Sequence, residues 1–354
     1  MSIHKRTAAL PNLLKHLWYH LTQRRKRQFG LLMGLMLVSA FAEVVSLGAV
    51  LPFISILVAP DRVFNHPIAA DVVQALGVTS ADQLVLPLTI VFITAALIAG
   101  TIRIFLLWVS TRLAVASGTD LSIEVYRRTL YQPYRTHVAR NSSEVISGIT
   151  SKVDGVVFGV LMPLLTLVSS TVLLVAIIIT LIAIDPMVAL VAAVGFGASY
   201  ALITWMSRQR LYRNSLRIAY EQTQVVKALQ EGLGGIRDVL LDGTQPVYCD
   251  IYHKADHPLR LAQGNNAVIG QTPRYIMEAL GMVLIATLAY TLSRQVGGIA
   301  TALPVLGALA LGAQRLIPTM QQIYIAWATI AGHHASLDDA IVLLDQPLPA
   351  ELMQ

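Results

Sequence analysis

The stretch "RRTLYQPYRTHVARNSSEVI", Arg127 to Ile146, carries four arginines, a proline, a histidine and a run of small polar residues, yet it lies between two of the most apolar segments of the chain. Those neighbours set the class. Charged residues are 13% of the 354 residues and apolar ones 55%, against about 25% charged in a soluble protein. Mean hydropathy is +0.63. A chain of this size and character reads as a polytopic membrane protein rather than a soluble domain around one large core. The single cysteine, Cys249, cannot form an intramolecular disulfide and says nothing of redox compartment. The first apolar run is too long for the core of a signal peptide.

A membrane span needs about 20 mostly apolar residues, because the hydrocarbon core is about 30 Å thick and a helix rises about 1.5 Å per residue. Six stretches meet that length, over about 29–59, 84–116, 155–184, 186–207, 269–293 and 302–332. Spans three and four meet at "AIDPM", where Pro186 suits the first turn of a new helix. Spans five and six are joined by the short "RQVGGIAT", and spans one and two by residues 61–83. By contrast, Ser117 to Lys152 and Ser207 to Asn266 are long, polar and rich in helix formers. The expected fold class is therefore an all-α polytopic membrane protein, with six long transmembrane helices and two long helical extensions beyond the bilayer.

Lysine and arginine give the orientation. Twenty of them fall on one side: seven before Phe29, five in the first long loop and eight in the second. Only Arg62 and Arg294 fall on the other. The positive-inside rule puts both termini and both long loops in the cytoplasm. The net charge of +6 is explained by this asymmetry, and no nucleic-acid partner is expected.

Each long loop reads as two helices with a break near the middle. In the first, Pro133 interrupts one helix, and Asn141 or Ser142 caps the next. In the second, "LQEGLGGIRDVLLDGTQ" breaks at Gly234-Gly235. A short segment at the tip of two protruding helices is placed to meet a cytoplasmic partner.

In these features the chain resembles the transmembrane domain of ABC exporters, across essentially its whole length. In that family the loop tips are short coupling helices that dock on ATPase domains. The resemblance implies one such helix at Pro133, Tyr134, Arg135, Thr136, His137 and Val138, and a second at Gly235, Ile236, Arg237, Asp238 and Val239. It also implies a second transmembrane domain, in a homodimer, because six spans form half of the family's pathway. One departure stands out: no GxxxxGK[ST] phosphate loop occurs. ATP and Mg are therefore expected to be bound by a nucleotide-binding domain outside these residues, either farther along the same chain or in a separate polypeptide. No cofactor, catalytic residue or ATPase activity is expected of this stretch alone. Residues 1–28 read as a basic cytoplasmic segment, 29–332 as the six-helix domain, and 333–354 as an amphipathic cytoplasmic linker towards the ATPase domain. His333-His334 reads as part of that linker, since no third metal ligand sits at suitable spacing.

Ionisable groups at membrane depth are costly and mark function. Four stand out: Glu43 in "FAEVVSLGAVLPF", Arg103 in "GTIRIFLLW", Arg274 in "QTPRYIMEAL" and Arg315 in "LGAQRLIPTM". Three arginines on three spans would make a cavity for an anion, since guanidinium holds phosphate oxygens in a bidentate fork. Alternatively Arg103 or Arg315 pairs with Glu43 to fix helix packing, and Arg274 snorkels or pairs with Glu278 one turn away. The phrase "FAEVVSLGAVLPFISILVAPDRVF" resembles the first span of the lipid-linked oligosaccharide flippase and polysaccharide-export subgroup. In that subgroup an external segment follows; here a short amphipathic helix after Pro67 would place Ile68, Val72 and Leu76 on one face, to rest on membrane lipid or serve as an ordinary connection. The expected function is ATP-driven outward movement of an anionic, phosphate-bearing lipid-linked substrate across a bacterial cytoplasmic membrane. The alternatives are a peptide or drug exporter, or a membrane scaffold that has lost its ATPase.

Overall fold

The computed structural model describes residues 9–58, 85–139, 141–184, 186–293 and 298–348. The amphipathic helix expected after Pro67, the residues Arg62, Arg140 and Arg294, and the side chain of Arg315 lie outside the described residues.

The chain is all-α. In order it forms α1 (Leu10–His20), α2 (Gln23–Val58) and α3 (Val85–Leu130). A six-residue helix, α4 (Tyr134–Ala139), precedes a rod over 142–184, and α8 (Pro186–Gly234) follows the rod. A second six-residue helix, α9 (Ile236–Leu241), leads to α10 (Gln245–Ser293), α11 (Gly298–Gly332) and α12 (His334–Leu344). The rod comprises α5 (Ser142–Ser147), α6 (Val153–Val156) and α7 (Met162–Ile184), separated by π-turns at Gly148–Lys152 and Val157–Leu161. Among the described residues there is no strand.

Length is the first result. Helices α3, α8 and α10 have 46, 49 and 49 residues, so each runs about 70 Å at about 1.5 Å per residue. That is more than twice the hydrocarbon thickness. Three stretches among the described residues are long and apolar enough to cross a membrane: Gln23–Ser46, Val85–Leu130 and Val145–Ile182. In the most apolar window of Val85–Leu130 only 6% of residues are buried inside the chain. Such a surface satisfies its backbone internally and faces lipid with its side chains. The two long polar loops are thus continuations of spanning helices rather than separate elements.

The ends of the arms are set by local chemistry. At the first, α3 stops at Leu130, and the Pro133 carbonyl accepts the Thr136 amide at 2.8 Å to start α4. Asn141 then caps the rod, its Oδ1 accepting the Ser143 amide at 3.0 Å, a bond of the kind that contributes about 1 kcal/mol. At the second, Gly235 breaks α8, and its carbonyl accepts the amides of Asp238 and Val239 at 2.9 and 3.0 Å. Helix α9 closes in a Schellman turn: Gly243 takes φ +63°, and the Thr244 amide reaches back to the Val239 carbonyl at 3.1 Å. Helix α10 continues through Pro258 and Pro273, each of which removes one ladder hydrogen bond.

Two cores hold the helices together. One is formed by α7, α8, α10 and α11 around Ile177, Phe196, Leu211, Met277, Leu316 and Tyr324. The other gathers the bases of α2 and α3 and the foot of the rod with α1 and α12, through Leu17, Leu32, Val125, Val160, Leu337 and Leu344. Helix α12 is deeply packed: Leu337 and Leu344 are 0% and 1% exposed, each contributing about 2 kcal/mol by burial. It meets the rod where the π-turns occur. A Cβ on Gly159 would strike the His333 ring, and one on Gly148 would lie 2.5 Å from Leu343 Cδ1.

Two polar pairs add to these contacts, one between the rod and α12 and one between α2 and α3. Lys152 Nζ donates to Asp339 Oδ2 at 2.6 Å, with the lysine side chain 7% exposed. Arg25 Nε donates to Asp120 Oδ2 at 2.7 Å, joining α2 to α3. Removing one partner from a buried pair leaves an uncompensated charge. Asp339→Ala is therefore expected to cost about 2–4 kcal/mol, read as a lower unfolding midpoint in detergent. Replacing both partners (Lys152→Met with Asp339→Leu) recovers most of that loss. A double variant as unstable as Asp339→Ala would refute the assignment.

Candidate functional site

A cavity of about 590 Å³ opens between α2, α3, α7 and α11. Its wall from α2 includes Met36, Ala40 and Glu43, and its wall from α3 includes Gly100, Arg103 and Leu107. Both sets recur at three- and four-residue steps, so each occupies a single helix face. Helix α7 adds Thr166, Ser169 and Ser170, and α11 adds Gln322. The Ser170 hydroxyl donates to Gln322 Oε1 at 3.1 Å and ties α7 to α11. The lining is apolar with a few convergent polar groups, the usual character of a small-molecule site.

The structure brings two of the four intramembrane ionisable residues together: Glu43 and Arg103 line the same cavity. Arg274 is elsewhere, on α10, where its Nε donates to Glu278 Oε1 at 2.8 Å. That is the neighbour pairing open to it from sequence. Arg315 lies on α11, and its side chain is outside the described residues. Sequence reasoning missed Ser169, Ser170 and Gln322. The available signal was "LTLVSSTV", in which Thr166, Ser169, Ser170 and Thr171 put four hydroxyls into a leucine- and valine-rich run.

The aromatic residues of α8 and α11 serve packing. Tyr324 is 3% exposed, and its hydroxyl lies 3.1 Å from Ser207 Oγ and 3.2 Å from the Ile269 carbonyl. The Tyr200 and Trp327 rings lie about it with centroids at 6.0 and 5.9 Å.

The arm tips form the second candidate site. Pro133, Tyr134, Arg135, His137 and Val138 are exposed and Thr136 is partly covered; Tyr134 is 83% exposed. At the other tip Ile236, Arg237 and Asp238 are exposed, Gly235 is partly covered and Val239 is buried as the anchor. Leu240 and Leu241 are also exposed. Each tip therefore presents apolar side chains beside charge, at the end of an arm.

One tip is wired to the end of α12. Arg128 Nη1 donates to the Leu344 and Gln346 carbonyls at 2.6 and 3.1 Å. Gln132 Nε2 donates to the Pro347 carbonyl at 2.9 Å. Arg128 is itself oriented by Glu124, with Nε donating to Oε1 at 2.6 Å. Arg128 lies in the last turn of α3 and Gln132 just before α4, and nothing in their sequence context marks them as holding the tail.

The comparisons agree with this geometry. The family model for the ABC transporter transmembrane region matches residues 35–300. The solved structure of a bacterial Atm1-family ABC exporter with ATP bound aligns at TM-score 0.64 and 14% identity, over 92% of this chain and 54% of that one. At that identity the likeness speaks to the fold alone, and this chain spans about half the length of the exporter. No curated protein gives a significant match. The helices long enough to cross a membrane, the paired six-residue tip helices and the match over three quarters of its length place the chain in the ABC transporter transmembrane-region family.

Proposed function

We propose that this chain is the membrane half of an ATP-driven exporter that moves an anionic amphipathic substrate outward, a lipid carrying a phosphate-bearing head group. The observation that carries the reading is the cavity between α2, α3, α7 and α11, with Arg103 among hydroxyl and amide groups. Arg103 and the α7 hydroxyls would hold the head group, while its tail stays in lipid. Arg274 and Arg315 are proposed to act on the same substrate at other points of its path. Glu43 would compete for Arg103 when the cavity is empty.

In this reading the tips are coupling helices, residues 133–138 and 235–239. They dock on nucleotide-binding domains that bind ATP and Mg. Two copies of the chain pair as a homodimer, and closure of the ATPase domains moves the arms and turns the cavity outward. The resident membrane is a bacterial cytoplasmic membrane, with both termini and both tips inside, as the lysine and arginine asymmetry supports. The domain plan is the sequence-derived one: a basic segment to residue 28, the six-helix domain to 332, and the segment from 333 onward leading to the motor.

Glu43 supports a second reading. A carboxylate opposite an arginine in one cavity also suits a zwitterion or a cation, as in a peptide or drug exporter.

Two outcomes are expected. In the chain assembled with its nucleotide-binding domains, Arg103→Ala raises the half-maximal concentration of a phosphorylated lipid for ATPase stimulation by about tenfold or more, a loss of about 1.4 kcal/mol. Arg103→Lys loses less, because it keeps the charge but not the fork. Equal stimulation by phosphorylated and dephosphorylated lipid, unchanged in Arg103→Ala, would favour the peptide or drug reading. For orientation, Cys249 is exposed at the start of α10 beside the second tip. A membrane-impermeant maleimide is expected to label it in inside-out vesicles and not in intact cells; the reverse pattern would invert the topology.

A further inference from the structure

Two histidines of α1 and one carboxylate after α12 converge away from both the cavity and the tips. His16 and His20 are four residues apart and so share a face of α1. Their rings stack with centroids 5.6 Å apart. Asp345 Oδ1 lies 3.3 Å from His16 Nε2 and 2.9 Å from His20 Nε2. The three ligand atoms all lie within 4.8 Å of one another.

These separations suit a metal. Zinc bonds of about 2.0–2.2 Å in a tetrahedron set ligand atoms about 3.3 Å apart. Paired histidines at i and i+4 on a helix are a recurrent zinc-holding unit. Imidazole and carboxylate together form a donor set for a borderline divalent ion such as Zn²⁺. The His20 side chain is 9% exposed, whereas those of His16 and Asp345 are 47% and 42% exposed. The buried ring fixes one ligand, and the open side leaves room for water as the fourth. The two elements are already held together, since Leu13 and Leu17 of α1 pack in one core with Leu337, Ile341 and Leu344 of α12.

We propose that His16, His20 and Asp345 form a Zn²⁺ site that ties the first helix of the chain to the end of α12. Asp345 lies between Leu344 and Gln346, whose carbonyls are held by Arg128. The ion would therefore stiffen the connection between the tail and the first tip.

The test uses the purified chain in detergent, free of any histidine tag and carrying Cys249→Ser. Zn²⁺ is titrated against a chromophoric chelator, and Co²⁺ is added as a spectroscopic substitute. The expected result is one ion per chain, with the visible absorption of tetrahedral Co²⁺. His16→Ala and Asp345→Asn each weaken binding at least tenfold. His16→Ala keeps the test clear of misfolding, because that side chain is half exposed. A double His253→Ala, His257→Ala variant, which removes the other i,i+4 histidine pair, leaves binding unchanged. The proposal is overturned if the wild-type chain takes up no ion. It is equally overturned if binding survives His16→Ala and Asp345→Asn, or is lost with His253 and His257.

Discussion

The constraint on which the structure depends is the mismatch between helix length and membrane thickness. In hydrocarbon every backbone amide and carbonyl must be satisfied within the segment, so the chain crosses as helices. Where α3, α8 and α10 leave the bilayer, nothing in their sequence stops them. Their apolar runs give way to residues that remain good helix formers, and the hydrogen-bond ladder continues. An arm that is one continuous helix carries displacement along its length; α3 and α8 have no proline beyond their first turns, whereas α10 loses a ladder bond at Pro258 and at Pro273. At the tips the helices end outright, at Pro133 before α4 and at Gly235 before α9.

A second consequence follows from packing at the base of the arms. The last described helix, α12, is buried against the foot of the rod, where the backbone widens into two π-turns and glycine removes the side chain that would collide. Its end is then fixed by Arg128, in the last turn of α3, and Gln132, in the turn between α3 and the first tip. The backbone from Leu344 to Pro347 is therefore tied to the end of the first arm, just before its tip.

Much of the fold was legible in the sequence because membrane spans are decided by run length and charge, which a single sequence displays directly. The breaks at Pro133 and Gly234-Gly235 were legible for the same reason: proline and glycine act through the backbone, and Asn141 caps as its side chain requires. The sequence hid what depends on partners distant in the chain. The tail read as an amphipathic linker, since its periodic leucines do not reveal what covers them; its burial against α1, α3 and the rod is a tertiary fact. Pro258 and Pro273 gave no hint that α10 continues past them as one helix. The facing of intramembrane charges was equally hidden. Glu43 and Arg103 share a cavity, but Arg274 turns to Glu278, its neighbour one turn along.

We propose the two tips, residues 133–138 and 235–239, as the docking surface of an ATPase that drives the membrane domain. The most direct measurement places a photo-crosslinking amino acid at Tyr134 and, separately, at Ile236, in the cells that make the protein, and identifies the attached peptide by mass spectrometry. Both positions are expected to capture a domain bearing GxxxxGK[ST], whichever polypeptide carries it. Capture of lipid or of other membrane-spanning segments alone, from both positions, would contradict the proposal.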